Sequence, residues 1–285
     1  MVDSLGSLLS KSWAFCRAQF VPILLGALVA GAVSLVLTLS IVNKMSQGAN
    51  NALNRLGVDR GRLEDLQRRA QQGDQQATQE LQQEVQRTLG NFSEKDLQNL
   101  GGAFAGDMAR TFFSPYSLLL ILGMIIVSFA FQGYILVLLL EKKPAQEAFA
   151  RTASLILPLI GLSLWTALRT FIWIPIIGII PFIILAPRFV LAPVLLVRDG
   201  KGVLESTRIS YRRTAGYWGK IVGNVIVAVI LVGIAAAAIN AIFNAILGMS
   251  LASYLTPFVQ MVTGAFTGVF IGYLGLTILG SKQSA

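Results

Sequence analysis

The chain has 285 residues, of which 54% are hydrophobic and 13% charged, with a formal net charge of +9. Soluble globular chains carry roughly 25% charged residues, so this balance excludes a soluble globular protein, and the hydrophobicity excludes a disordered one. Histidine is missing, which removes the commonest general base and metal ligand, and Cys16 alone makes neither an intrachain disulfide nor a cysteine metal site.

In chain order, Leu5 to Phe20 is a short amphipathic stretch. Phe20 to Val42 follows without a charge. It is longer than the ~7–15 residues of a signal-peptide core and reads as a retained first span. Asn43 to Phe112 is polar, with nine basic and nine acidic residues. Leu63, Leu66 and Ala70, then Ala77, Leu81, Val85 and Leu89, recur at helical spacing. Gly73-Asp74 breaks and restarts the helix with Asp74 as N-cap, Ser93 with Asp96 resembles a capping box, and Gly101-Gly102 ends the pattern. This segment is expected to be a helical extracytoplasmic insertion, with residues 59–100 either capping the bundle or meeting a protein partner.

Five further spans are predicted: Tyr116 to Leu140, Ala153 to Leu168, Phe171 to Val197, Ile221 to Leu247 and Leu251 to Leu279. Phe171 to Val197 holds Pro175, Pro181, Pro187 and Pro193, so two half-helices are an alternative there. The expected fold is therefore all-α, an integral membrane protein of six transmembrane helices with interfacial amphipathic helices. Its parts are 1–42 (interfacial helix and first span), 43–112 (insertion) and 113–285 (five-span domain). Basic residues set the orientation. Lys11, Arg17, Lys142, Lys143, Arg151, Arg198, Lys201, Arg208, Arg212, Arg213, Lys220 and Lys282 alternate onto one side, and the opposing short connections hold only Arg169. Both termini are expected to be cytoplasmic, in a bacterial inner membrane.

Three cytoplasmic stretches look alike: Leu5–Phe20 with Ser12-Trp13, the stretch opening at Lys143-Pro144 with Glu147, and Val203–Trp218 with Ser210-Tyr211. Lys143 and Glu147 match Lys201 and Glu205 at a constant offset of 58. Three parallel repeats of a surface helix plus a two-span hairpin would follow, or else shared interfacial composition.

Candidate chemistry is sparse. After Asp107 the acidic residues are Glu141, Glu147, Asp199 and Glu205, none inside a predicted span. There is no Walker loop, dinucleotide fingerprint or metal-ligand pattern, so neither an enzyme nor a cofactor is expected. The basic residues lie between spans, which points to anionic lipid heads rather than nucleic acid. Arg188 falls near the bilayer midplane of a continuous helix, where an arginine costs about 2.5 kcal/mol or more. Either proline-freed carbonyls, water or an anionic ligand compensate it, or the helix breaks at Pro187 and the side chain snorkels. Arg208 and Arg212 share a helix face, Glu205 is placed to pair with one of them, and Arg198, Lys201, Arg213 and Lys220 complete a lipid- or anion-binding set. Gly264, Gly268 and Gly272 form a small-residue stripe for helix packing.

The stretch from Pro187-Arg188-Phe189 through Ala192-Pro193, Leu195-Leu196-Val197, Gly200, Ser210, Arg213 and Gly216 to Trp218 resembles the membrane domain found beside glycerophosphodiester phosphodiesterases, and related stand-alone bacterial membrane proteins. The resemblance covers about Ser114 to Gly280. It implies a six-helix membrane domain and a lipid connection. The family's catalytic barrel uses histidines, so its activity is not implied here. The expected function is a non-enzymatic membrane module that binds anionic headgroups or partner proteins as a scaffold. The alternative is a transporter or lipid-handling protein with an anion site near Arg188.

Overall fold

The computed structural model describes residues 3–55, 65–66, 69–70, 74–90, 106, 109–172 and 180–281, and among them the regular structure is helical throughout. The order is α1 (Leu5–Ala18), α2 (Phe20–Arg55), α3 (Gln75–Gly90), α4 (Pro115–Leu140), α5 (Ala145–Phe171), α6 (Ile180–Leu185), a 3₁₀ turn (Ala186–Phe189), α7 (Ala192–Asp199) and α8 (Val203–Arg213). A final helical run, Trp218–Ser281, breaks at Gly248 into α9 (Trp218–Gly248) and α10 (Leu251–Gly280). Five helices are long and apolar enough to cross a membrane: α2 over Phe20–Lys44, α4, α5, α9 and α10.

The chain divides into two compact units, residues 36–123 and residues 1–35 with 124–285. In the first, Asp74 is the N-cap of α3: its Oδ1 accepts the Ala77 N–H at 3.1 Å, and its Oδ2 accepts from Arg69 at 2.8 Å. These donors hold the Asp74 carboxyl below its usual range. Leu66 and Ala77 of the predicted apolar stripe are buried. Leu63, the side chains of Val85 and Leu89, the Ser93–Asp96 pair and Gly101-Gly102 lie outside the described residues. Ser114 caps α4 by accepting the Ser117 N–H at 3.2 Å.

The second unit is built around the last turns of α4. From Tyr134 to Leu139 every side chain is buried. A helix apolar and buried on all sides is enclosed by other elements. α10 closes against it through glycines. A Cβ at Gly272 would run into the Leu139 side chain, and one at Gly268 would lie 3.5 Å from Ile135. Gly275, which the predicted stripe omits, meets Val194 of α7 at 2.9 Å, whereas Gly264 faces open space. Gly275→Ala is therefore expected to destabilise the detergent-purified protein by about 1–3 kcal/mol through overpacking. Gly264→Ala should be neutral or slightly stabilising, and thermal unfolding of the two variants checks this. In α2, Gly26 receives the Tyr134 ring and Gly31 the Phe258 ring in the same way. α1 lies against this bundle with Leu8 packed among Leu191, Val194, Ile221 and Leu274.

α5 meets α4 at Gly133, where a Cβ would run into Leu159 and lie 3.2 Å from Thr152. It starts at the end of α4, after a turn in which Glu141 is bridged by Lys143 (3.2 Å) and Arg151 (3.1 Å). Its backbone then approaches α6, the 3₁₀ turn, α7 and α8. Gly161 meets Val203, and Thr170 shares a groove with Ile221, Val222 and Ile271. Ile271 adjoins Gly272, which is level with Leu139 in the last turn of α4. Both ends of this helix, about 40 Å long, thus lie toward the same end of the bundle. α5 to α8 form a cap there, over the all-buried turns of α4.

Candidate functional site

Arg188, Arg198, Lys201, Arg208, Arg212 and Arg213 lie in this cap, whereas Lys220 is in the first turn of α9. Prolines shape the cap. Pro187 has no N–H for the Ile183 carbonyl, so α6 cannot continue. The freed Ile183 oxygen accepts from Trp218 Nε1 at 3.3 Å instead. Residues 186–189 tighten into a 3₁₀ turn, and Pro193 sits in the first turn of α7, where a missing N–H costs nothing. Gly200, at φ 61°, ends α7 in the left-handed conformation and turns the chain into α8.

Arg188 therefore lies on a tight turn between short helices, not within a continuous one, so the helix breaks at Pro187, as the alternative reading had it. The Ile183 carbonyl freed by Pro187 makes no hydrogen bond to Arg188 among the described residues. The Ile183 oxygen is taken by Trp218, and the Arg188 carbonyl accepts the Ser210 hydroxyl at 2.6 Å. Ser210 in turn accepts the Leu191 N–H at 3.2 Å, and Thr214 Oγ1 lies 3.3 Å from the same Arg188 oxygen. The Arg188 guanidinium stacks over the Tyr211 ring at 4.8 Å, and its Nε is buried with no hydrogen-bond partner among the described residues.

α8 has two chemically distinct faces. The inner one is made of hydroxyls, Ser206, Thr207, Ser210 and Thr214, all buried. The outer one carries Leu204, Arg208, Tyr211 and Arg212, all exposed. Glu205 pairs with Lys201 at 2.7 Å rather than with Arg208 or Arg212 as expected, and Arg198 pairs with Asp199 at 2.6 Å. Among the described residues no carboxylate pairs with Arg208, Arg212, half-buried Arg213 or exposed Lys220. The three look-alike stretches bury equivalent positions four apart: Leu8 and Ser12, Ala148 and Thr152, Ser206 and Ser210. Trp13 and Tyr211, the aromatic residues that follow, are exposed.

Sequence reasoning missed the partners that α5 brings to Arg188. A cavity of about 460 Å³ is walled by Trp165, Leu168 and Arg169 of α5, by Ile172 just past its end, and by Leu185, Phe189 and Tyr211 opposite. The Arg169 guanidinium lies 5.3 Å over the Trp165 ring, and Trp165 Nε1 is buried without a partner among the described residues. Phe189 is also a wall of a second, mainly apolar groove of about 540 Å³, bounded by Thr166, Thr170, Pro193, Ile221 and Val225 among others. No protein-family model, curated protein or solved structure matches the chain.

Proposed function

We propose that the protein is a non-enzymatic membrane module whose helical cap binds anionic lipid headgroups on the inner side of a bacterial inner membrane. The carrying observation is the outer face of α8. It sets Arg208 and Arg212 beside Leu204 and Tyr211, with both cations free of carboxylates among the described residues. Apolar and aromatic side chains enter the boundary of the acyl layer, while guanidinium groups reach phosphates. The resemblance to the membrane domain found beside glycerophosphodiester phosphodiesterases agrees with a lipid role, and burial of the matched positions in α1, α5 and α8 supports a duplicated surface helix.

In this reading four helices cross the layer, α2, α4, α9 and α10, and α5 lies shallow within the cap. That differs from the six crossings expected from hydropathy, and packing is the reason: both ends of α5 approach one end of the bundle. The basic residues agree. With four crossings Arg169 and Arg188 join the other cations, so all twelve basic residues after position 112 fall on the side of the two termini. The isolated intramembrane arginine disappears. Residues 59–100 remain, as expected from the sequence, a candidate surface for a protein partner. The apolar lining of the larger groove favours lipid handling over an aqueous conduit.

The test is lipid co-purification with the full-length protein from membranes that contain phosphatidylglycerol. Arg208→Gln with Arg212→Gln is expected to lower its enrichment over zwitterionic lipid by about fivefold per arginine, the equivalent of ~1 kcal/mol each. Unchanged enrichment in the double variant would remove the headgroup reading.

A further inference from the structure

We propose that the cavity between α5 and the Leu185–Phe189 turn is a binding site for the phosphate of one anionic phospholipid. This rests on the reading that the cap lies in the headgroup layer, and it names a specific site there, separate from the outer face of α8.

Two unmet donors point to a ligand. An indole N–H can only donate, and buried donors without acceptors are rare in native structures. Trp165 Nε1 is such a donor, on a residue that walls the cavity. Arg188 Nε is a second, on the guanidinium stacked over Tyr211, another wall residue. Charge points to the sign of that ligand. Arg169 brings a positive charge to the cavity wall, Arg188 stacks on the wall residue Tyr211, and among the described residues no carboxylate pairs with either. Each guanidinium is held over an aromatic face, which fixes its position while leaving its N–H edge free to donate. A phosphodiester supplies several acceptor oxygens and one negative charge, which matches the Arg169 guanidinium edge and an indole N–H.

The neighbouring groove selects a lipid over free phosphate. Phe189 separates the cavity from the apolar groove of about 540 Å³, so a headgroup held at Arg169 has a slot for an acyl chain one side chain away. A soluble anion would make no use of that slot.

The experiment is native mass spectrometry of the full-length protein in detergent, titrated separately with phosphatidylglycerol, phosphatidylcholine and inorganic phosphate. The wild type is expected to hold one phosphatidylglycerol more tightly than the rest. Trp165→Phe, which keeps the ring and removes the N–H, and Arg169→Gln should each weaken that lipid about tenfold, the worth of one charge-assisted hydrogen bond. Arg169→Lys should recover part of the loss. Arg208→Gln with Arg212→Gln should leave the tight lipid in place while lowering bulk enrichment, so the two readings fail independently. Wild-type binding in both Trp165→Phe and Arg169→Gln would overturn the site. Equal retention of phosphatidylcholine, or displacement by inorganic phosphate at equal affinity, would overturn the lipid assignment. If Arg169→Gln does not purify as a folded protein, Trp165→Phe decides alone.

Discussion

A cysteine replacing Arg169 is expected to react with a membrane-impermeant maleimide in inside-out vesicles and to stay unlabelled in right-side-out ones. Six crossings place position 169 on the outer side. Four crossings, with α5 lying across the end of the bundle, place it on the inner side with Arg188 and Arg208. A cysteine at Gln75, in the polar insertion, should give the opposite pattern and serves as the control. The native thiol interferes little, because burial pushes Cys16 up to about 11 and leaves it scarcely ionised at neutral pH. The contrast is all-or-none, since a bilayer excludes the reagent. Labelling of position 169 from outside would restore α5 as a crossing helix and detach the cap from the inner face.

The largest stability effect is expected at Ser210. Its hydroxyl donates to the Arg188 carbonyl and accepts from the Leu191 N–H, and the side chain is fully buried. Ser210→Ala leaves the Leu191 donor without a partner, while the Arg188 carbonyl keeps Thr214 nearby. A buried backbone group stripped of its partner costs about 1–3 kcal/mol. The turn that carries Arg188 has no helical ladder to fall back on, so the upper half of that range is expected. Thermal unfolding in detergent measures it, against Ser154→Ala at an exposed hydroxyl, which should shift by less than about 0.5 kcal/mol. Equal midpoints for the two variants would mean that the hydroxyl face of α8 does not hold the cap.

Local chemistry was legible in the sequence. The apolar runs locate five long helices, Asp74 caps α3 as read, and Gly200 ends α7 before the basic helix. Direction was not legible. Hydropathy reports length and composition, and α5 has apolar residues on both its inner side (Leu155, Leu159, Leu162) and its outer side (Leu157, Leu164, Leu168), so it scores like a crossing helix wherever it lies. Of the glycine stripe, Gly268 and Gly272 meet side chains of α4, Gly264 faces open space, and Gly275, outside the four-residue spacing, meets Val194 of α7. Charge partners were equally ambiguous, since Glu205 had basic residues both before and after it, and the turn at Gly202 delivers Lys201. The Trp165 and Arg169 site had no signal of its own, because it exists only once α5 folds back toward the 3₁₀ turn.

Gly248 has a consequence for how the last two helices are joined. The run from Trp218 to Ser281 is 64 residues, and as an unbroken helix it would be a rod about 96 Å long, more than twice the thickness of a bilayer with its headgroups. One residue at φ 76° and ψ 158° folds that rod into two legs. That region of backbone space is open essentially to glycine alone. The reversal is thus written at one codon. The two long apolar helices are joined by a hinge rather than by a polar loop.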